Sequence, residues 1–201
     1  MRERTAPTVE DIDLVGGRLC LDFVNTANWL EGAPVDERLA AFADLAAWGR
    51  RQGLIGKATE ARLKQQSAGD AASADKVLAA AIRLRAATRR LLSGNDEAAD
   101  LETLNRALAA PAPLLAAGGG KAVLHPVAGD LGDWLLHPLA ASTAELMTSP
   151  SRTKIKICPG DRCGWIFLDE SPSGRRRWCS MATCGNRRKA RAHYSRRKGE
   201  A

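Results

Sequence analysis

Apolar residues recur three and four positions apart at Val35, Leu39, Phe42, Leu45, Ala46 and Gly49. This spacing predicts an amphipathic helix that Gly53 ends. A broader stripe over 75–92 (Val77, Leu78, Ala81, Ile82, Leu84, Leu91 and Leu92) predicts a second helix. Ser93-Gly94 stops it, and Asp96 is placed to cap a third that buries Leu101, Leu104 and Leu108. Pro111-Ala112-Pro113 breaks that helix, and 114–117 and 122–127 flank Gly118-Gly119-Gly120 as a hairpin. Residues 132–147 return to helical spacing, with Pro138 either kinking the helix or starting it. Near the N-terminus, 14–26 is an apolar segment interrupted by Gly16-Gly17. It suits a short strand running into a buried helix, which periodicity alone does not decide. The body therefore reads as mostly helical with a small β component.

After the turn-forming 148–151 the pattern changes. Four of the five cysteines follow as two C-x4-C pairs, Cys158/Cys163 and Cys179/Cys184, separated by fifteen residues. Trp165, Ile166, Phe167 and Leu168 read as a strand, 169–174 as a turn, 175–179 as the returning strand, and the stretch after Cys184 as a helix. A segment this short and poor in apolar residues closes no core unaided. Four thiolates about 2.3 Å from one Zn²⁺ would supply the missing folding free energy. Two disulfides or an iron–sulfur cluster are the competing uses of the same cysteines. Cys20, alone in an apolar segment, reads as a packing residue.

Charge then separates the two parts. The chain carries +7 overall, but 151–201 holds 14 Lys+Arg against 4 Asp+Glu, leaving 16 against 19 in 1–150. A slightly acidic body with a strongly basic tail points to a polyanion as the tail's partner. On the terminal helix, Arg187, Arg191, Tyr194 and Lys198 share a stripe, with Arg188 beside it and Lys189 broadening the field. Arg175, Arg176 and Arg177 extend the same surface, and together these residues suit phosphate binding. A solvated basic tail without a ligand is the bland alternative. Asn186 suits either a base edge or local backbone groups. Trp165 and Trp178 read as the hairpin's small core, with base stacking as the other use.

No apolar run of about 18 residues and no signal-like start appear, so a cytoplasmic protein with no membrane partner is expected. His125, His137 and His193 lack companions at ligand or triad spacing, and no nucleotide-binding or hydrolase motif is present. No enzyme is expected. Phe23, Trp29, Phe42, Trp48 and Trp134 read as core before pocket. Asp22 and Asn25, polar inside an apolar segment, are either hydrogen-bonded in the core or contacts for a ligand.

The tail's motifs make the comparison specific: Cys158-Pro159, Cys163-Gly164-Trp165, Phe167-Leu168-Asp169, Arg177-Trp178-Cys179-Ser180-Met181, and Cys184-Gly185-Asn186-Arg187 with Lys189. They resemble the CGNR zinc finger, which follows an ABATE domain in proteins regarded as stress-induced transcription regulators. Leu19-Cys20-Leu21-Asp22-Phe23-Val24-Asn25-Thr26 is similar to the opening of that domain. The resemblance implies an α+β protein in two domains. Residues 1–150 would be an ABATE-like, mostly helical unit sensing an unidentified small molecule. Residues 151–201 would be a treble-clef finger that binds DNA, with Cys158, Cys163, Cys179 and Cys184 on one Zn²⁺. The charge break further predicts that the first 148 residues fold alone. RNA or ribosome association, a zinc-clipped protein-interaction adaptor, and assembly as a homodimer are the readings the sequence leaves beside it.

Overall fold

In the computed structural model, residues 8–95, 97–118, 121–125 and 132–198 are described; the side chains of 116–118, 121–125, 133 and 198 lie outside that description. Asp96 is also outside it, as are residues 119, 120, 126 and 127 of the expected hairpin. Helix α1 spans Leu19–Val24. Among the described residues no strand precedes it: Asp22 Oδ1 accepts from Gly16 N at 2.8 Å and holds the Gly16-Gly17 turn, with Gly17 at φ +84°. A short antiparallel pair follows, β1 (Asn28–Leu30) and β2 (Ala33–Val35). Glu31 and Gly32 both have positive φ, the geometry of a primed two-residue turn. This hairpin removes Val35 from the expected helix and leaves Leu39 in the loop. Helix α2 is Phe42–Arg51, with the Asp44 carboxylate accepting from Ala41 N and Gly53 at φ +75° after its end.

Helix α3 (Lys57–Gly69) gave no periodic signal because Leu63 is its one buried residue. Helix α4 (Ala71–Ser93) is the longest. Asp70 caps its N-terminus by accepting from Ser73 N, and left-handed Gly94 ends it. It packs against α1, α2 and α3, against α5 (Ala98–Leu108) and α6 (Leu136–Thr148), and against β5 (Ile155–Ile157). On α5, Asp100 and Leu104 are one turn apart and face inward, so Leu101 is turned out and 44% exposed, not buried as expected. The N-cap residue of the helix is Glu97, whose N–H donates to the Asp100 carboxylate at 3.0 Å. Strands β3 (Leu114–Gly118) and β4 (Lys121–His125) form the expected hairpin, and Leu114 and Leu115 are exposed on it. Pro138 lies in the first turn of α6, which it helps to start without a kink.

Residues 150–154 form a 3₁₀ turn. Strand β5 pairs antiparallel with β6 (Ile166–Leu168), and Ile155 is opposite Leu168. The expected returning strand at 175–179 does not form. Asp169 takes the amides of Ser171 and Arg176, and the Lys156 ammonium binds the carbonyls of Gly174 and Arg176. Side chains thus satisfy the backbone that a ladder would otherwise use. One π-helical turn (Met181–Gly185) leads into α7 (Asn186–Lys198).

The cysteine-bearing segment shares the body's core. Phe167, Trp165 and the four cysteines cluster with Phe23, Leu39 and Phe42, while Ile166 and Leu168 pack with Leu21, Val24 and Trp29. Asn25 pairs with the backbone of Ile166 in both directions, at 2.9 and 3.0 Å. Trp29 N donates to Cys163 O at 2.9 Å, and Leu168 N donates to Gly16 O at 2.8 Å. Gly164, at φ +58°, lies so close that a Cβ there would be 2.2 Å from Trp29 O. The fold is α+β, mostly helical, with three two-stranded antiparallel sheets among the described residues.

Candidate metal centre and nucleic-acid interface

Strands β5 and β6 are joined by a tight knuckle with Cys158 at its start and Cys163 at its end. Cys158 N donates to Trp165 O at 2.8 Å and Cys163 N to Gly160 O at 3.0 Å, which folds both thiols to one side. Gly160 leaves the space that closure needs, since a Cβ there would be 2.9 Å from Cys184 Sγ. The second pair comes from the loop before the π-helical turn and from the turn itself, where Ser180 O accepts from Gly185 N. All four sulfurs are buried and lie within 4.8 Å of one another. Cys163–Cys179 is 3.7 Å and Cys179–Cys184 is 3.6 Å. A tetrahedron with arms of about 2.3 Å has edges of about 3.8 Å, so the set fits one Zn²⁺. A disulfide needs sulfurs about 2.05 Å apart, and all five cysteines are free.

The thiols also need a cation to ionise together. Hydrogen bonds from Cys163 and Cys179 pull Cys158 down to about 2. Cys163 is pushed up to about 12 and Cys179 higher still, because each must ionise beside a thiolate it is already hydrogen-bonded to. A bound divalent ion removes that conflict. Cys20 is different: fully buried, it is pushed up to about 11 by desolvation, as a packing cysteine should be.

Several arginines surround this centre. Arg176 does not face outward with Arg175 and Arg177. Its guanidinium lies 4.3 Å from the Phe167 ring centroid and donates to the carbonyls of Val15, Trp178 and Cys179. It is a clamp on the metal loop, with its donors spent on backbone carbonyls. Arg89, on α4, lies 4.6 Å from the centroid of Trp29 and donates to Gly164 O at 2.8 Å. Burial pulls it down to about 10. Trp165 turns toward the body under Arg38, and Trp178 packs beside Gly185, so the two do not form a hairpin core.

Between the knuckle and α7 runs a groove of about 510 Å³. Arg177, Arg187, Arg188 and Arg191 line it, with Trp178 and a single acid, Asp161. Asp161 is ion-paired with Arg191 across the groove. The sequence reading passed over this acid because nothing local distinguishes it from a solvated one. Arg175, Lys189 and Tyr194 are exposed outside the groove lining, and Lys198 is the last residue of α7. Asn186 Nδ2 donates to Ala182 O at 3.3 Å, a local backbone contact.

The two polar residues of α1 are inside. Asn25 is fully buried, with both its amide oxygen and its amide nitrogen bonded to the backbone of Ile166. Asp22 is buried beneath Gly16, and desolvation raises it to about 6. Phe23, Trp29, Phe42, Trp48 and Trp134 are all buried, with Phe23 and Trp48 packed at 5.3 Å between ring centroids. They are core. Arg85, which sequence reading also missed, is buried among them with Thr26 at 2.8 Å and Glu37 at 2.7 Å.

No helix among the described residues is long and apolar enough to cross a membrane. The CGNR zinc finger model matches residues 154–197. The ABATE model, described as "Putative stress-induced transcription regulator", matches residues 17–150. Among curated proteins, none matches the chain.

Proposed function

Since the chain belongs to the ABATE family and ends in a CGNR zinc finger, we propose that it regulates transcription by binding duplex DNA through residues 151–201. The carrying observation is the groove beside the four cysteines, where four arginines converge against one acid. Guanidinium groups on a metal-stiffened rim suit phosphate oxygens, and each contact releases counterions. Arg177, Arg187, Arg188 and Arg191 form the centre of this surface. Arg175, Lys189, Tyr194 and Lys198 extend it along the loop and helix. We assign the finger a treble-clef arrangement, with the knuckle giving Cys158 and Cys163, and the loop and π-helical turn before α7 giving Cys179 and Cys184, to one Zn²⁺.

Residues 1–150 take the sensing role in this reading. A cavity of about 540 Å³ between the β1–β2 turn, the end of α4 and the knuckle has the size of a small-molecule site. The family description names a regulator, and the reading includes no catalytic step. It places the protein in the cytoplasm, where the thiols stay reduced for zinc.

Fluorescence anisotropy of zinc-loaded protein on duplex DNA, over a range of salt, tests the reading. Affinity should fall linearly with salt on a log–log plot. Arg187→Ala and Arg188→Ala should each reduce the slope by about 0.9, the value for one lost duplex phosphate contact. Arg176→Ala should act through zinc content instead. Salt-independent binding, or displacement by structured RNA at far lower concentration than by duplex DNA, would overturn the DNA reading.

A further inference from the structure

Helix α4 carries three arginines into or against the core, and two have conventional partners. Arg85 pairs with Glu37, and Arg90 forks onto Asp100 at 2.5 to 3.1 Å. Arg89 has no carboxylate partner among the described residues, although it is only 8% exposed. An isolated buried cation is costly unless an anion or a set of dipoles receives it. Its Nη1 reaches instead for the carbonyl of Gly164, the residue bonded to Cys163, while its flat face covers Trp29. Trp29 is itself bonded to Cys163 through N–H to carbonyl. Glu31, on the rim of the adjoining cavity, is exposed and forms no ion pair among the described residues.

Its bond to Gly164 O places Arg89 one peptide from Cys163, a member of the four-cysteine set, and Arg89 shares a cavity lining with Cys158. One Zn²⁺ with four thiolates carries two negative charges in a largely buried setting, and such a centre is stabilised by nearby cations and by ordered ligands. We propose that Arg89 is a positioning residue for the zinc ion: from the N-terminal body it supplies counter-charge to the tetrathiolate centre and fixes the Cys163–Gly164 peptide. Zinc retention is then set partly by α4, outside the finger. Any change that shifts the end of α4, such as a ligand entering the cavity it lines, acts directly on the metal centre's surroundings.

Charge and hydrogen bonding are separable in the full chain. Arg89→Gln keeps a donor for Gly164 O and loses the charge; Arg89→Lys keeps the charge and loses the flat stacking face. Zinc affinity, measured by competition with a chromophoric chelator, should fall about 10- to 100-fold in Arg89→Gln, the range for outer partners of metal ligands. Arg89→Lys should stay within about threefold of the parent, by the same reasoning. Arg83→Met, on the exposed side of α4, should leave affinity unchanged. With Co²⁺ in place of zinc, the thiolate charge-transfer band should move in Arg89→Gln and not in Arg89→Lys. Parent-like affinity in Arg89→Gln, or equal losses in Gln and Lys, would overturn the proposal. Should Arg89→Gln fail to fold, the Lys variant decides alone: parent-like affinity supports the proposal, and a tenfold loss sinks it.

Discussion

Asp22 and Asn25 stand three positions apart around α1 and illustrate how far a single residue can be read. Both are polar in an apolar run, which marks each as either buried and bonded or turned to a ligand. Asn25 is bonded to Ile166, 141 positions away. No local pattern announces such a partner. Asp22 has the nearby Gly16 amide, but desolvation outweighs that hydrogen bond and raises its pKa from 3.8 to about 6. The folded chain therefore holds this proton more tightly than the unfolded chain does. The contribution favours folding below about pH 4 and is lost as pH rises through about 6, so an ionised Asp22 is a cost at neutral pH. Asp22→Asn keeps an oxygen for Gly16 N and carries no charge. It should be more stable than the parent by roughly 2–3 kcal/mol at pH 7.5, from two units at about 1.4 kcal/mol each. Near pH 4 the two should match. Urea midpoints at the two pH values check this, and taking the difference between variants cancels acid effects on the zinc ligands. A gap of the same size at both pH values would refute it.

At the scale of elements, legibility follows the number of apolar residues each one commits. Helix α4 buries a continuous stripe, and its body and its stop at Ser93-Gly94 were legible, whereas its first turn from Ala71 and its Asp70 cap were not. Helix α3 buries Leu63 alone and was not visible. The β6 strand was legible, but its partner was not. The strand signal at 175–179 yields to the inward pull of Arg176, and β5 takes the pairing position. Helix α7 was read from its lack of breakers, and the structure explains its oddity: Asn186 to Arg191 are all exposed, and none of its described side chains is fully buried. A helix of this length is marginal in water without packing. The π-helical turn and the Arg191–Asp161 pair are what hold its start. Amide exchange in α7 beyond Ala190 should therefore be nearly unprotected in the free protein, while β6 is protected to the global limit. Duplex DNA should slow α7 by about tenfold or more if the helix lies on phosphate. Unchanged α7 exchange in the bound state, with protection appearing elsewhere, would move the interface off this helix.

For the whole molecule, the charge break near residue 150 suggested two separable pieces, and two family models meet near that point. The contacts bind those pieces together. Ile166 and Leu168 are buried against Leu21, Val24 and Trp29, and Asn25 and Gly16 complete the backbone bonding of β6. Composition registers charge but not which apolar side chains of the tail are spent on the body. Each fully buried Ile or Leu is worth roughly 1.5–3 kcal/mol, so these two alone contribute roughly 3–6 kcal/mol across the junction. That is a large share of the 5–15 kcal/mol that typically holds a domain together. The chain should consequently unfold as one unit, and a piece ending at Thr148 should lose a corresponding part of its stability. With Co²⁺ in the metal site, urea should abolish the thiolate charge-transfer band and the fluorescence of the body tryptophans at a common midpoint. Chelating the metal should lower the midpoint of the tryptophan signal as well. If the metal band vanished at clearly lower urea while tryptophan emission held its native value, the finger would be an independent module. Control of zinc from α4 would then have no mechanical route.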